Sequence, residues 1–399
     1  MLTKTYLSLA PHVFPVSGRL ELAPAIECAN QLAVLPACSV LILDFREMSF
    51  VEPFGMLYLA QAIRAWRQRH PGCRVTGIFS NNTANSYAAF VGFFAACGIS
   101  IGNETGAAPG SPTYLPMTYQ NVIALQKGNA HVGKTIQTIA EKLARQLIRQ
   151  PTGDLVDAVA YAFREIVRNV VEHSAAEEFG YCAQYWPTRN LVEIAIIDGG
   201  IGLRTTLARN PFLTVETDHN ALKYALMPGI SGKVYKGVPN DLNNPWQNSG
   251  YGLYMNYRLC NAGGNFFIAS GSAGLYRERD AENIYHNLAF QGTALRLQLD
   301  TTRLRNLAEL LKTFAHDGEK LSTQIGEGAI PNASKMSQLL REDFRELSAA
   351  PAVGAQVHHT RYGIGHVLEV EARPHEVILK VQFGGGRITK VNSNTITEL

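Results

Sequence analysis

Apolar residues in the first hundred positions form short continuous runs separated by a helically spaced stripe. Residues 39–45 form an apolar run of the kind that predicts a buried strand, and residues 74–79 predict another strand. Between them, apolar side chains in residues 55–68 recur every three or four positions, which predicts a helix with one buried face. Strands that alternate with helices in this way predict a layered α/β domain.

The strongest helical pattern lies in the middle of the chain, over residues 154–174. Its apolar side chains recur every three or four positions and form a single stripe. Glu165, Asn169 and His173 follow one another at four-residue spacing on the opposite face, so a carboxylate and a carboxamide stand one turn apart. Taken alone, such a polar face is most often simply solvated.

A predicted strand over residues 191–197 runs into a glycine-rich turn. Residues 198–202 read Asp-Gly-Gly-Ile-Gly, and three glycines in so short a stretch let a ligand approach the main chain closely. The strand also contains Glu193 within an otherwise apolar run. An ordinary turn with an exposed aspartate shows the same pattern, so this motif alone does not identify a site.

Two further glycine motifs follow along the chain. Residues 248–257 (NSGYGLYMNY) place Gly250 and Gly252 at the start of a predicted helix, where backbone N–H groups bind phosphate well. Residues 290–297 (FQGTALRL) predict a strand that opens with a glycine and Thr293. Each motif is weak by itself, and the order of all four carries the information.

The last block of the chain, from about residue 351, has a different texture. Residues 356–370 and 377–383 alternate apolar and polar side chains and predict short strands. The glycines of residues 384–386 punctuate them. Short alternating strands over so few residues predict a small β-barrel.

Composition bounds the class of protein. With 399 residues, the chain is long enough for two to four domains at about 150 residues each. Hydrophobic residues make up 46% and charged residues 17%, which excludes a wholly disordered chain. The formal net charge of +3 argues against a dedicated nucleic-acid coat, although it is compatible with a local basic patch.

The sequence also favours a cytoplasmic protein that does not enter a membrane. No apolar run approaches the ~20 residues needed to span a bilayer, and the N-terminus lacks the sustained apolar core of a signal peptide. Six scattered cysteines without a Cys-x-x-Cys pair favour a reducing compartment over a disulfide framework or a metal site.

The motifs of the middle block occur in one order. A helix with Glu-x-x-x-Asn precedes a strand ending in Asp-x-Gly-x-Gly, and a glycine-bearing insertion, Gly-x-Gly-Leu and a Gly-Thr strand follow. In this order they resemble the GHKL ATPase superfamily, which includes DNA gyrase, MutL proteins, histidine kinases and the serine kinases that act as anti-sigma factors. The resemblance covers residues 122–299. It implies a Bergerat-type two-layer α/β sandwich that binds ATP and Mg²⁺.

The resemblance also implies a role for each matching residue. Glu165 would polarise the attacking water or hydroxyl, and Asn169 would bind Mg²⁺ through its side-chain oxygen. Asp198 would accept a hydrogen bond from the adenine amino group, and Thr293 would reach the base through water. His173 would lie near the phosphates. The remaining nucleotide contacts would be Gly200 and Gly202 under the base, Gly250 and Gly252 over the phosphates, and Leu253.

The insertion over residues 203–249 contains a segment, residues 228–233 (PGISGK), that resembles the mobile ATP lid of the superfamily. Lys233 or Lys236 would meet the γ-phosphate when the lid closes, although a solvated lysine is an equal alternative. The superfamily often has Asn after the motif aspartate, where this chain has Gly199. This departure puts one polar contact near the metal in doubt and leaves nucleotide binding as expected.

Residues 16–21, 41–45 and 48–55 resemble the STAS domain of anti-sigma factor antagonists. In that family an Asp-Ser-Ser-Gly stretch offers the serine that a partner kinase phosphorylates. Here the stretch is Glu-Pro-Phe-Gly, residues 52–55, with no hydroxyl at either middle position. Phosphoryl transfer needs a nucleophilic oxygen, so the familiar switch does not run at that site. Ser49 is an alternative acceptor, although a capping or solvated serine is the commoner role.

Residues 353–359, 362–367 and 381–388 resemble the small Tudor-like domain at the C-terminus of UvrD-type helicases, which implies an SH3-like β-barrel. From residue 351 onward the chain carries five Lys or Arg and four Glu, a net charge of +1. A duplex-binding domain normally shows a basic face, so a protein partner is favoured over nucleic acid.

These patterns together predict an α/β (α+β) protein of three domains. Two polar, glycine-bearing stretches, residues 102–116 and 315–331, predict linkers, and a short helix is predicted over residues 334–349. The expected boundaries are a STAS-like domain over residues 1–103, a linker over 104–118, a GHKL ATP-binding domain over 119–300, a helical and polar linker over 301–350, and a Tudor- or SH3-like barrel over 351–399.

Three functions fit this architecture: an ATP-hydrolysing or ATP-gated regulatory switch, an anti-sigma-type serine/threonine kinase, and a nucleotide-binding scaffold with negligible turnover. The fused STAS-like domain favours the kinase, whereas its missing acceptor serine favours the switch or the scaffold. A histidine kinase is disfavoured because the predicted helix before Glu165 contains no histidine. The expected partners are proteins bound through the flanking domains. The resemblance also allows a homodimer, because the superfamily often pairs through its ATP domains, although the sequence shows no heptad seam that supports one.

Overall fold

The computed structural model describes residues 10–109, 113–126, 132–238, 250–279, 281–304, 306–325, 328–330, 354–359, 361–373, 376–392 and 395–398. Within them the chain is a mixed α/β protein with several sheets, which confirms the predicted class at that level. The helix predicted over residues 334–349 lies outside the described residues. Among the described helices, none is both long and apolar enough to cross a membrane.

The N-terminal block alternates parallel strands with helices. Its elements are β1 (His12–Pro15), β2 (Gly18–Leu20), α1 (Leu22–Val34), β3 (Val40–Asp44), β4 (Met48–Val51), α2 (Pro53–Arg69), β5 (Arg74–Ile78), α3 (Thr83–Phe90) and α4 (Phe93–Ala96). Strands β1, β3 and β5 form a parallel sheet with β3 in the centre, and β2 pairs with β4. Helix α2 begins at a proline, which is favoured in the first turn because no intrahelical bond is lost there.

The middle block is built on a five-stranded antiparallel sheet. Its elements are β6 (Tyr114–Asn121), α5 (Val122–Gln126), α6 (Val132–Ile148), α7 (Asp154–Asn169), β7 (Glu178–Trp186), β8 (Leu191–Asp198), α8 (Gly202–Leu207), α9 (Asp218–Ala225), α10 (Gly252–Asn261), β9 (Gly264–Glu278), β10 (Ala281–Asp300) and α11 (Leu307–Ser322). The strand order is β6-β7-β8-β10-β9. Asp198 and Thr293 are therefore direct cross-strand partners on β8 and β10.

The two faces of this sheet are buried by different parts of the chain. Val192, Ile194 and Ile196 of β8 face the helices of the middle block. The alternate positions Ala195 and Ile197 face the N-terminal block, where helix α2 covers them. Because side chains alternate along a strand, β8 carries one set of residues into each layer. We refer below to the helix side as the front face and to the N-terminal side as the back face.

Both predicted linkers contain packed structure. Strand β6 begins at Tyr114, inside the predicted joint of residues 102–116, and Tyr114, Leu115 and Met117 are buried. The strand was not predicted because Pro116 is unusual inside a strand. β6 tolerates the proline because it is an edge strand and its pairing register shifts at that position. The second linker begins with helix α11, whose apolar face packs into the core of the middle block although its other face is polar.

The predicted helix over residues 154–174 changes its geometry before it ends. Helix α7 closes at Asn169, and residues Val170–Ser174 form a π-helical turn. Ala175 then adopts a left-handed conformation with φ of 54°. A π turn interrupts the regular helical register, and such turns often lie at functional sites. Here it places His173 and Ser174 beyond the register that four-residue spacing predicts.

The C-terminal block is an antiparallel sheet of five strands. They are β11 (Gln356–His359), β12 (Gly363–Arg373), β13 (Glu376–Phe383), β14 (Arg387–Asn392) and β15 (Ile396–Glu398), in the order β14-β13-β12-β11-β15. Val357, Val367 and Val381 lie at the centre of its small core. Within the described residues, β14 and β15 each pair with one neighbour, so the sheet is open where the sequence predicted a closed barrel. The last strand has three residues, and all of them pair with β11.

Candidate functional site

A cavity opens on the front face of the middle sheet, where β8 ends, and its empty space, including the part open to solvent, is about 710 Å³. Elements far apart in sequence meet there: helix α7 and its π turn, the glycine turn after β8, the lid-like insertion, and the first turn of α10. The predicted residues that line the cavity are Asn169, His173, Asp198, Gly202, Gly250, Gly252, Leu253 and Thr293. Glu165, Gly200 and Lys233 are not among its walls.

Asp198 is the buried acid of the cavity, and 3% of its surface is exposed. Its Oδ1 accepts a hydrogen bond from Gly200 N at 2.9 Å, and the backbone N–H of Thr293 also donates to this carboxylate. Burial raises the pKa of Asp198 to about 6, because the two backbone hydrogen bonds only partly offset the loss of water around the charge. At neutral pH the group is therefore mostly a carboxylate and can accept further hydrogen bonds from a ligand.

Close backbone packing explains two glycines of the turn after β8. A Cβ on Gly200 would lie 2.0 Å from the carbonyl oxygen of Ser174, and Ile201 N donates to that same oxygen at 2.8 Å. Gly202 has φ of 75°, a conformation that residues with a side chain rarely adopt. Gly200 thus supports the turn from outside the cavity, while Gly202 forms part of its wall.

Gly199, the position that departs from the superfamily pattern, faces the N-terminal block. A Cβ built there would meet the Nε2 of Gln61, on helix α2, at 3.1 Å. The glycine turn of the front face therefore touches a helix that lies on the back face. The end of the Gln61 side chain therefore lies where the asparagine side chain of the superfamily pattern would begin.

His173 and Asn169 are two polar side chains of the cavity wall that come from helix α7 and its π turn. Burial and the positive charge of Lys233 lower the pKa of His173 to about 3, so its imidazole is neutral at physiological pH. A neutral imidazole can still donate or accept a hydrogen bond, but it supplies no charge to a phosphate. Lys233 itself donates its ammonium group to the carbonyl oxygen of Glu172, so the cation lies beside the cavity although it is not in its wall.

Glu165 lies behind the cavity rather than in it. Its Oε1 pairs with Arg164 Nε at 3.1 Å, and both side chains are less than 10% exposed. Its Oε2 lies against Gly252, where an added Cβ would approach it to 2.6 Å. Arg164 also donates to Gln137 of helix α6 at 3.0 Å. Since Gly252 lines the cavity, the expected base contacts the outside of a cavity wall, and it is already paired with an arginine.

Most of the remaining cavity surface is apolar and was not predicted from the sequence. Leu203 and Leu207 come from helix α8, Ala225 from helix α9, and Ile230 from the lid-like segment. In the sequence these residues look like ordinary core positions, because apolar residues at helical spacing occur both in a core and in the wall of a cavity. One signal was present: Leu203 and Leu207 follow the glycine turn directly and stand one helical turn apart.

A buried polar network occupies the back face. Arg296 of β10 donates to Glu193 of β8 at 3.1 Å and to Glu52 of the N-terminal block at 2.8 Å. Glu193 also accepts from Gln298 at 2.6 Å and from the backbone N–H of Phe54, in the first turn of α2, at 2.9 Å. Glu193 is completely buried and Arg296 is 6% exposed. Residues 52–55, where a STAS domain would carry its acceptor serine, are therefore packed into this interface.

The cavity combines largely apolar walls with one buried carboxylate, that of Asp198. No model of a known protein family matches the chain, and no curated protein matches it. What the cavity binds is therefore inferred from its own side chains. A planar, apolar ring with an exocyclic donor suits the apolar walls and Asp198, and an anionic group attached to it suits the glycines and Asn169.

Proposed function

We propose that the cavity binds Mg²⁺-ATP and that the chain is an ATP-gated regulatory switch of the GHKL type. The observation that carries this proposal is the meeting of four motifs in one cavity. Asn169, Asp198, Gly250 and Thr293 are separated by up to 124 residues, yet all line it. Ordinary turns and solvated helix faces would have no reason to converge in this way.

The adenine end of the proposed site is formed by Asp198 and the apolar walls. The carboxylate accepts hydrogen bonds and cannot donate them, so it suits the adenine amino group and would oppose the carbonyl oxygen of guanine. Leu203, Leu253 and Ile230 would pack against the faces and edge of the base. ATP should therefore bind much more tightly than GTP.

The phosphate end of the proposed site is formed by Asn169, the glycine loop and the N-terminus of helix α10. Gly250 approaches the lid-like segment so closely that an added Cβ would lie 2.6 Å from Gly229 C. Backbone N–H groups at the first turn of a helix bind phosphate well, and helix α10 begins at Gly252 in the cavity wall. Asn169 would hold Mg²⁺ through its amide oxygen, and the ion would supply neutralising charge to the phosphates.

The finer fold assignments are part of the same proposal. The parallel sheet order and the helices of the N-terminal block support a STAS-like domain, and the front-face cavity supports a Bergerat-type sandwich. In the C-terminal block the last strand returns to pair with the first, as in an SH3-like barrel that is incompletely closed. We infer a cytoplasmic protein that binds protein partners through its flanking domains.

A scaffold that binds nucleotide without hydrolysis is the second candidate. It is favoured by the position of Glu165, because this carboxylate pairs with Arg164 and does not line the cavity in which the phosphates would lie. Kinase activity towards the chain's own residues 52–55 is disfavoured, because that stretch has no hydroxyl and is buried against the sheet. A kinase acting on another protein remains an outcome of the experiment below.

The test begins with binding and then follows the γ-phosphate. Titration calorimetry with Mg²⁺ and AMP-PNP should show one site per chain, and the absence of binding would overturn the proposal. Incubation with γ-labelled ATP then separates the functions: free phosphate indicates the switch, labelled protein indicates a kinase, and neither indicates the scaffold. Glu165→Gln should keep AMP-PNP affinity and lose turnover, whereas the exposed Glu177→Gln should change neither.

A further inference from the structure

A short segment that follows helix α11 is packed onto the lid-like insertion. We use the name lid segment for residues 228–238 and tether for residues 328–330. All three residues of the tether are buried, although they precede the C-terminal block. Lys236 N donates to the Gly328 carbonyl oxygen at 3.0 Å, so the two segments are joined through their backbones.

Asn210 joins the same two segments through its side chain. Its Nδ2 donates to the carbonyl oxygen of Ser231, in the lid segment, and to that of Ala329, in the tether, both at 3.0 Å. Its Oδ1 accepts from Phe212 N at 3.1 Å, and none of its surface is exposed. Both amide hydrogens and the amide oxygen of Asn210 are therefore used, which fixes its orientation.

The packing around Asn210 is shared with the cavity. Leu207, Ala225 and Ile230 line the cavity, and they belong to the same small apolar cluster as Ala329 and Ile330 of the tether. Ser231, whose carbonyl accepts from Asn210, also lines the cavity. The side chains of this cluster therefore connect walls of the cavity with the tether.

We propose that nucleotide occupancy of the cavity and docking of the tether onto the lid segment stabilise each other. The proposal rests on the proposed function, because it takes a nucleotide as the ligand of the cavity. Docking the tether fixes Ile230 and Ser231 of the lid segment in the positions that a ligand would contact. A ligand that binds the ordered lid segment better must, by linkage, favour the docked tether by the same factor.

Asn210 acts in this scheme as a positioning residue, since it touches both segments and is not a wall of the cavity. The described residues of the C-terminal block begin at residue 354, downstream of the tether along the chain.

The experiment measures the coupling from both sides in the full-length protein. Ala329→Asp places a carboxylate in the apolar cluster without altering a wall of the cavity, and it should weaken AMP-PNP binding about tenfold, within the usual range of coupling between sites. The exposed Ala281→Asp makes the same chemical change away from the tether and should bind like the wild type. Hydrogen exchange of residues 328–330 should slow on addition of Mg²⁺ and AMP-PNP in the wild type and not in Ala329→Asp.

The outcomes separate the two proposals. If the wild type binds AMP-PNP and a folded Ala329→Asp binds it equally well, the coupling is overturned and the nucleotide site stands. If the wild type does not bind AMP-PNP, the nucleotide site is overturned and the coupling falls with it. Should Ala329→Asp fail to fold, Ile330→Ser decides: an affinity loss of about threefold supports the coupling, and unchanged affinity and exchange overturn it.

Discussion

Strand β8 carries a buried carboxylate to each face of the middle sheet, and the two carboxylates are satisfied differently. Glu193 on the back face accepts from Arg296, Gln298 and the start of helix α2. Asp198 on the front face accepts from two backbone N–H groups, and within the described residues it pairs with no arginine or lysine. The back-face acid has a full set of protein partners, whereas the front-face acid retains capacity for a ligand.

The partners of a buried charge distinguish a structural role from a functional one. A buried ion pair that is fully hydrogen-bonded is costly to break but does not by itself indicate a binding site. A buried acid that lines a cavity and lacks a cation has been placed at a cost in stability, and such costs are common at functional sites.

The largest effect is expected on the back face, from Arg296→Met. This change leaves Glu52 and Glu193 buried together without their shared cation, so the free energy of unfolding should fall by about 3–5 kcal/mol. Urea denaturation of the wild type and the variant measures the loss. Arg303→Met is the control, because Arg303 is half exposed and forms a surface ion pair with Asp300, and it should cost less than about 1 kcal/mol. Equal losses in the two variants would mean that the back-face network is not a stabilising element.

On the front face, Asp198→Asn should separate binding from stability. Loss of the charged acceptor should weaken AMP-PNP binding by about 10–100-fold, which corresponds to one hydrogen bond to a charged group. The free energy of unfolding at pH 7 should rise by about 1–3 kcal/mol, because a desolvated charge is removed. Calorimetry and urea denaturation of one preparation give both values. A variant that loses stability as well as affinity would place Asp198 with the structural acids.

The pH dependence of that gain has a definite sign. Burial raises the pKa of Asp198 from 3.8 to about 6, so the folded state binds this proton more tightly than the unfolded state does. The associated stability is fully present below about pH 4 and is lost as the pH rises through about 6. The stability advantage of Asp198→Asn should therefore be absent near pH 4 and complete above pH 7. Nucleotide affinity of the wild type should fall as the pH drops below about 6.

A smaller effect distinguishes two neighbouring glycines of the turn that joins the faces. Gly200→Ala would place its Cβ 2.0 Å from a backbone oxygen that cannot easily move, so a loss of about 1–3 kcal/mol is expected. Gly199→Ala meets only the end of the flexible Gln61 side chain, at 3.1 Å, and should change stability by less than about 0.5 kcal/mol. Thermal unfolding of both variants tests the contrast. A larger loss in Gly199→Ala would show that the contact with helix α2 is rigid.

The sequence predicts the front face better than the back face for a physical reason. Asn169, Asp198 and the loop glycines satisfy local needs of backbone and chemistry, so their types and spacing are visible in one chain. Glu193 is visible as an unexpected charge in an apolar strand, but its partner Arg296 lies 103 positions away and nothing local identifies the pairing. Contacts between distant segments, including Gln61 with Gly199, are set by tertiary packing.

The same limit explains the rest of the site. The apolar walls Leu207 and Ile230 have the residue types of any core, so only the fold shows that they face a cavity. Residues 328–330 lie in a stretch whose glycines and polar residues predict a linker, and their burial depends on the lid segment against which they pack. The Arg164–Glu165 pair was invisible because neighbours in a helix normally point apart.

The smallest expected effect is the pH dependence of the back-face network, measured with Glu52→Gln. Burial and the nearby charge of Glu193 raise the pKa of Glu52 to about 7, although Arg296 opposes the shift. A raised pKa means that the folded state binds the proton more tightly, so the associated stability is complete below about pH 4.5 and is lost as the pH rises through 7. Between pH 6 and 8 the free energy of unfolding of the wild type should fall by on the order of 1 kcal/mol more than that of Glu52→Gln, as measured by urea denaturation at each pH.

Nucleotide affinity of Glu52→Gln at pH 7 should match that of the wild type, because the back-face network does not line the cavity. Parallel pH profiles in the two proteins would show that Glu52 stays ionised beside Glu193 and Arg296. The back face would then hold a buried carboxylate ionised at neutral pH, as the front face holds Asp198.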